Sequence, residues 1–105
     1  MSEPIAVVNN EAEHRFEARL GEAVAFTEYR LHDGALILPH TVVPNEFAGK
    51  GVGSQLAKAV LGWAREQGLA VVPTCPFMAG YVTKHPEWHD IVAAECRARL
   101  GLDGG

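Results

Sequence analysis

In the stretch PNEFAGKGVGSQL, Pro44 to Leu56, Gly49, Gly51 and Gly53 stand at alternate positions directly before a segment with helical spacing. A turn of this kind lets successive backbone N–H groups converge on an anion, with help from the helix dipole, and glycine permits both close approach and positive φ. The loop is a candidate phosphate cradle; the plainer alternative is a turn from strand to helix. Two familiar phosphate loops are excluded by spacing. A nucleotide triphosphatase loop ends in Gly-Lys-Ser/Thr, whereas Lys50 lies between glycines and Gly53 is followed by Ser54 and Gln55. A dinucleotide fingerprint needs a glycine three residues after the second, but Ser54 stands three past Gly51 and Leu56 three past Gly53.

Cys75 is the other suggestive group. It precedes Pro76 at the predicted start of a helix, where the dipole favours a thiolate, although a buried inert thiol is the plainer reading. Cys75 and Cys96 form no CxxC pair, so the sequence predicts two free thiols with neither a disulfide framework nor a zinc site. Among His14, His32, His85 and His89 no pair has metal-ligand spacing with a third partner, and no metal is expected.

The elements that must position these groups are legible in the periodicity. His14, Phe16, Ala18 and Leu20 alternate with Glu13, Arg15, Glu17 and Arg19, the period of a half-buried strand. Ile5 to Val8 is extended as well, and the polar turn Asn9 to Glu13 joins the two into a first hairpin. Ala23 to Leu31 and Ala35 to Val43 make a second hairpin through the Asp33-Gly34 turn. From Val52 the period changes: Val52, Leu56, Ala59, Val60 and Trp63 fall on one helical face, with Gly68 as the stop. Leu69 to Val72 is then a short strand, which a crossover helix should set parallel to its neighbour. A second helix is predicted near Pro76 and a third over HDIVAAECRARL, with a frayed tail at Gly101 to Gly105.

With 105 residues, 48% of them hydrophobic, the sequence has room for one core, so residues 1–105 read as a single domain. A net charge of −4 without a basic tract argues against nucleic-acid binding. No apolar run is long enough to span a bilayer and the N-terminus has no signal-peptide pattern, so a cytoplasmic location without membrane attachment is expected.

Ala48-Gly49-Lys50-Gly51-Val52-Gly53, at the junction of the fourth strand and its helix, resembles the Gln/Arg-x-x-Gly-x-Gly/Ala signature of the GNAT acetyltransferase superfamily. The similarity runs from the first hairpin to about Trp88. It is most specific at His40-Thr41-x-Val43-Pro44, the glycine loop, Pro73-x-Cys75-Pro76-Phe77 and His85-Pro86, and it points to the small single-domain branch of N-acetyltransferase domain-containing proteins. The resemblance implies an α/β acyl-CoA N-acyltransferase fold with a mixed, mainly antiparallel five-stranded sheet and flanking helices. It also implies an acetyl-CoA site. The pyrophosphate of coenzyme A would lie on the amides of Gly49, Lys50, Gly51, Val52, Gly53 and Ser54. The pantetheine arm would pair with the fourth strand at Val42, Val43 and Pro44, and the acetyl group would point into the gap between that strand and Val71 to Cys75. Ala48 departs from the signature, which removes one side-chain contact and leaves the amides intact.

Acetyl transfer to an amine needs a neutral amine, a place for the developing oxyanion and a proton for the departing thiolate. His40, inside an apolar strand and in phase with Leu36, Leu38 and Val42, could take the amine proton or be a hydrogen-bonded core histidine. Pro39 cannot donate to a ladder, so a bulge or splayed edge is expected beside it. Tyr81 lies near where many GNAT enzymes carry a tyrosine that protonates the thiolate; the alternative is an amphipathic core tyrosine with its hydroxyl at the surface. Cys75 could accept an acetyl group or form a mixed disulfide with coenzyme A. His85 marks a helix boundary and could reach the coenzyme end of the cleft, and Trp63 and Trp88 read as packing residues.

The reading is an acetyl-CoA-dependent N-acetyltransferase, a monomer or weak homodimer, with an amine acceptor on a protein side chain or small molecule. The alternatives are a coenzyme A-binding module with little or no turnover and a glycine-turned domain that binds no nucleotide.

Overall fold

The computed structural model describes residues 6–102. Five strands form one sheet in the order of the chain: β1 (Val7–Asn10), β2 (Arg15–Leu20), β3 (Ala23–His32), β4 (Ala35–Val42) and β5 (Ala70–Val72). The first four pair antiparallel and β5 runs parallel to β4, the mixed sheet expected from two hairpins followed by a crossover helix. β1 extends two residues further than the sequence indicates, through Asn10, whose side chain caps a single 3-10 turn at Glu11–Glu13. Ile5, assigned to this strand from sequence, lies outside the described residues, as do positions 103–105 of the predicted tail. Asp33 at φ 49° and Gly34 at φ 77° supply the left-handed pair that a tight β3–β4 turn requires.

Helix α1 (Val52–Gln67) buries Val52, Leu56, Val60 and Leu61 against the sheet face that carries Phe16, Ala18, Ala25, Tyr29, Leu36 and Leu38. Each Val, Leu and Phe among them contributes about 1.5–3 kcal/mol when fully buried. Gly68, left-handed at φ 69°, ends the helix by donating its N–H to Ala64 and Arg65. Trp63, Phe16 and Tyr29 pack ring against ring, with centroids 5.0–5.7 Å apart. After β5 come α2 (Pro76–Lys84), a 3-10 segment at Pro86–Ile91 and α3 (Ala94–Leu100). The predicted third helix is therefore two elements, since Val92 bridges back to Val71 between them.

Two departures from simple alternation matter for the site. In β2 the inward set is Phe16 and Ala18 only: His14 and Leu20 are exposed, and Glu17, on the opposite face, is 2% exposed. Arg15, Arg19 and Asn10 all hydrogen-bond the Glu17 carboxylate and cover it. In β4 the register against β3 shifts between Glu28 and Arg30, so Leu38 and Pro39 together stand opposite Tyr29. This is the bulge that Pro39 predicts, and it turns the rest of the strand over. Leu36 and Leu38 point inward, but so does Thr41; His40 is exposed on the outer face, not in phase with Leu36 and Leu38 as alternation alone requires.

Candidate active site

β4 and β5 pair only at Ala35–Ala70, Leu36–Val71 and Ile37–Val72. The last hydrogen bonds to the β4 backbone come from the Cys75 N–H and Thr74 hydroxyl, which both donate to the Leu38 carbonyl at 3.0 and 3.2 Å. Beyond Pro39 the chains part, because β4 continues extended to Val42 while Pro76 starts α2. Val42 is half-buried, Val43 is 40% exposed and Pro44 begins the 3-10 turn Asn45–Phe47. The result is an open strand edge at the three positions assigned from sequence to the pantetheine arm.

The glycine loop follows at once. Phe47, 2% exposed, anchors it in the core, an apolar residue among polar ones that marks the loop as held in place. Gly49 at φ 74° and Gly51 at φ 67° occupy left-handed conformations, and Gly51 is the N-cap of α1 with no side-chain cap bond. The Lys50 N–H is used within the loop, donating to the Phe47 carbonyl at 3.0 Å, so the sequence expectation of six free amides is reduced by one. The N–H groups of Gly49, Gly51, Val52, Gly53 and Ser54 have no acceptor among the described residues. Gly53 has a separate role: a Cβ there would come within 2.8 Å of the Phe77 ring, so its absence lets α2 approach the first turn of α1.

Between these two helices lies a cleft of about 380 Å³ bordered by Ser54, Phe77, Tyr81, Lys84 and His85. Phe77, Tyr81, Lys84 and His85 fall at i, i+4, i+7 and i+8, a helical stripe that sequence reading could have isolated and that brings Phe77 and Lys84 into the site. The Tyr81 and His85 rings stack at 3.9 Å, and the His85 Nδ1 is 2.7 Å from the Tyr81 carbonyl. The Tyr81 hydroxyl is buried and not at the surface; it has no hydrogen bond of regular geometry, with the Trp88 indole N–H as a polar neighbour. Burial pushes its pKa above the ordinary phenol value; the Trp88 N–H opposes this and the Glu87 charge adds to it, so the group remains protonated at neutral pH.

Cys75 is the N-cap of α2 and is 5% exposed. Its Sγ lies 3.4 Å from the Thr41 Oγ1, which in turn is 2.9 Å from the Thr27 Oγ1. This buried chain of three hydrogen-bonding groups ties β3, β4 and α2 together where the sheet splays. Sequence reasoning missed it because two threonines 14 residues apart acquire a common side only once the register is known. His40 lies on the other side of the sheet, with its ring 6.2 Å from Phe26. The structure therefore gathers Ser54, at the end of the glycine loop, and Tyr81 around one cleft, places Cys75 at the root of the splay and leaves His40 across the sheet. Both cysteines are free, and the described residues contain no group of three or more potential metal ligands.

A strand edge released beside a glycine-capped helix is the arrangement that the sequence signature implies, and the profile of the GCN5-related N-acetyl-transferase family matches residues 15–91. The chain belongs to that family. Among its relatives is Protein NATD1 of Mus musculus, 34% identical over 90 residues that cover 79% of this chain and 78% of the relative. Protein NATD1 of Xenopus tropicalis is 33% identical over 89 residues, covering 81% of each chain. The solution structure of a GCN5-like protein from Staphylococcus aureus superposes with a TM-score of 0.70 at 29% identity, covering 88% of this chain and 91% of that one. This member of the GCN5-related family thus has the α/β fold expected from its sequence, with the mostly antiparallel five-stranded sheet of its structural relative.

Proposed function

We propose that this protein binds acetyl-CoA through the Gly49–Ser54 loop and transfers the acetyl group to an amine. The observation that carries the reading is the set of five unpaired N–H groups within six residues, next to a strand edge freed by the β4–β5 splay. An anionic pyrophosphate suits these donors, and Val42, Val43 and Pro44 offer backbone to an extended arm. Bound there, acetyl-CoA would supply an activated thioester as the acetyl donor for the amine. The Tyr81 phenol, held protonated beside the cleft, would supply a proton to the sulfur, and with His40 across the sheet the proton that the amine loses passes to water.

A second reading, a coenzyme A-binding protein with little turnover, is favoured by two features. The Cys75 thiol and the Tyr81 hydroxyl are both buried, and Ala48 replaces the Gln or Arg of the superfamily signature. Thermal unfolding with and without acetyl-CoA tests the common part, using Ser54→Glu as the control. Ser54 is exposed in the first turn of α1, where a carboxylate stabilises a helix by about 0.3–1 kcal/mol, so this variant should melt no lower than wild type while repelling a pyrophosphate. At a ligand concentration 100 times Kd the wild type gains about 2.7 kcal/mol, a rise of several degrees, and the variant gains none. No rise in the wild type at millimolar acetyl-CoA overturns both readings; a rise without amine-dependent thioester cleavage leaves the second.

A further inference from the structure

One wall of the cleft between α1 and α2 is a ladder of rings. Phe77, Tyr81 and His85 recur every four residues along α2 and its C-cap, with centroids 6.5 Å apart for the first pair and 3.9 Å for the second. Lys84 stands beside the last ring and borders the cleft together with Ser54, the final residue of the glycine loop. It is the one lysine or arginine among the bordering residues. Its charge is uncommitted. Arg15 and Arg19 bind Glu17 and Arg65 binds Asp90, whereas Lys84 has neither an ion pair nor a hydrogen bond among the described residues. Lys50, the other cation of this region, springs from the loop itself and does not border the cleft. In a chain of net charge −4, an exposed ammonium left free beside five N–H groups without acceptors complements more negative charge than those amides serve.

We infer that Lys84 recognises the ribose 3′-phosphate of coenzyme A and so selects the coenzyme over its 3′-dephospho form. The inference rests on the acetyl-CoA reading, in which the loop amides take the pyrophosphate. Coenzyme A carries a third phosphate, and a single ribose joins it to the other two, so it lies within a nucleotide's length of the loop. Amides engaged by the pyrophosphate have no further N–H to offer it. A compact ammonium with three donors on a flexible stem, entering the same cleft from the opposite helix, suits a terminal phosphate. Lys84 also lies in the last turn of α2, where a cation complements the helix dipole. That structural role alone would affect folding stability and leave the preference between the two ligands untouched.

The test is a pair of affinities, for coenzyme A and for 3′-dephospho-coenzyme A, measured by calorimetry on wild type, Lys84→Gln and Arg30→Gln. Arg30 is exposed on the outer face of the sheet, so its variant makes the same change in net charge away from the cleft. Wild type should bind coenzyme A about tenfold tighter than the dephospho form, the size of a charged contact partly open to solvent, and the ratio should shrink as salt is raised. Lys84→Gln should bring the ratio close to one by weakening coenzyme A alone, while Arg30→Gln keeps it. Equal weakening of both ligands in Lys84→Gln assigns the lysine to the pyrophosphate and overturns the inference, as does a ratio unchanged from wild type. A loss of preference as large in Arg30→Gln, or a wild type that binds the two forms equally, overturns it as well. A wild type that binds neither ligand refutes coenzyme binding itself, an outcome distinct from any change in the ratio.

Discussion

Replacing Thr41 by valine should cost more stability than replacing both Thr41 and Thr27. Thr27 is 0% exposed, and among the described residues the single hydrogen bond of its hydroxyl is the 2.9 Å contact with Thr41. Thr41→Val conserves shape but strands that hydroxyl in the core, which costs about 1–3 kcal/mol. Thr27→Val is milder, about 0.5–1.5 kcal/mol, because Thr41 is only half-buried and keeps the Cys75 thiol at 3.4 Å as a partner. In the double variant no polar group is stranded at the Thr27 position, so its loss should fall below that of Thr41→Val, with a coupling of about 1 kcal/mol or more. Urea unfolding reads this directly. With a slope of about 1–3 kcal/mol/M for a small protein, a loss of about 2 kcal/mol moves the midpoint by roughly 1 M at unchanged slope. Additive losses, agreeing within about 0.5 kcal/mol, would refute the hydrogen-bonded chain as the tie between β3 and β4.

Tyr81→Phe should leave stability unchanged or slightly raised, since the hydroxyl it removes is buried without a regular partner, yet lower kcat by about 10²- to 10⁴-fold if the phenol protonates the leaving sulfur. Unfolding and steady-state rates of one preparation separate the two effects, and an unchanged kcat would exclude the phenol as the acid. For Glu17, burial raises the pKa, but hydrogen bonds from Arg15, Asn10 and Arg19 and the charge of Arg15 outweigh it, so the carboxyl sits below its ordinary value. A lowered folded-state pKa stabilises above the unfolded value of about 4.3 and is lost as pH falls through the folded value. Glu17→Gln should therefore cost roughly 1–2 kcal/mol at pH 7, the low end because both arginines are partly exposed, and much less at pH 3. A deficit that stays constant between those pH values would show that the carboxylate charge contributes nothing.

Much of the fold is legible because its signals are local. Asp33-Gly34 supplies the left-handed turn of the second hairpin, the spacing from Val52 to Trp63 announces α1, and Gly68 ends it. The glycine loop is legible for the same reason, as its conformations belong to Gly49 and Gly51 themselves. What escapes is register and cover. Counting by twos from Leu36 places His40 inside, and only the pairing with β3 reveals the extra residue. Glu17 reads as a solvent-facing charge because the two arginines that cover it are its own neighbours on the strand, and sequence does not say that they fold over it. The Tyr81 hydroxyl is placed by packing against a 3-10 segment whose existence depends on Val92 returning to β5.

The bulge at Pro39 acts as a parity switch within one strand. Before it, odd positions of β4 face outward and even ones inward; after it, the rule is exchanged, so a single residue decides which chemistry each side of the sheet receives. Deleting that residue would leave composition and hydrophobic content almost untouched. It would straighten the ladder with His40 still opposite Glu28 and Thr41 still opposite Thr27, whereas pairing in regular register with every residue kept would set the imidazole against Thr27 and turn Thr41 outward. In a sheet this small the bulge therefore absorbs one residue without altering the facing of those after it, and a change of register there would reassign several side chains together.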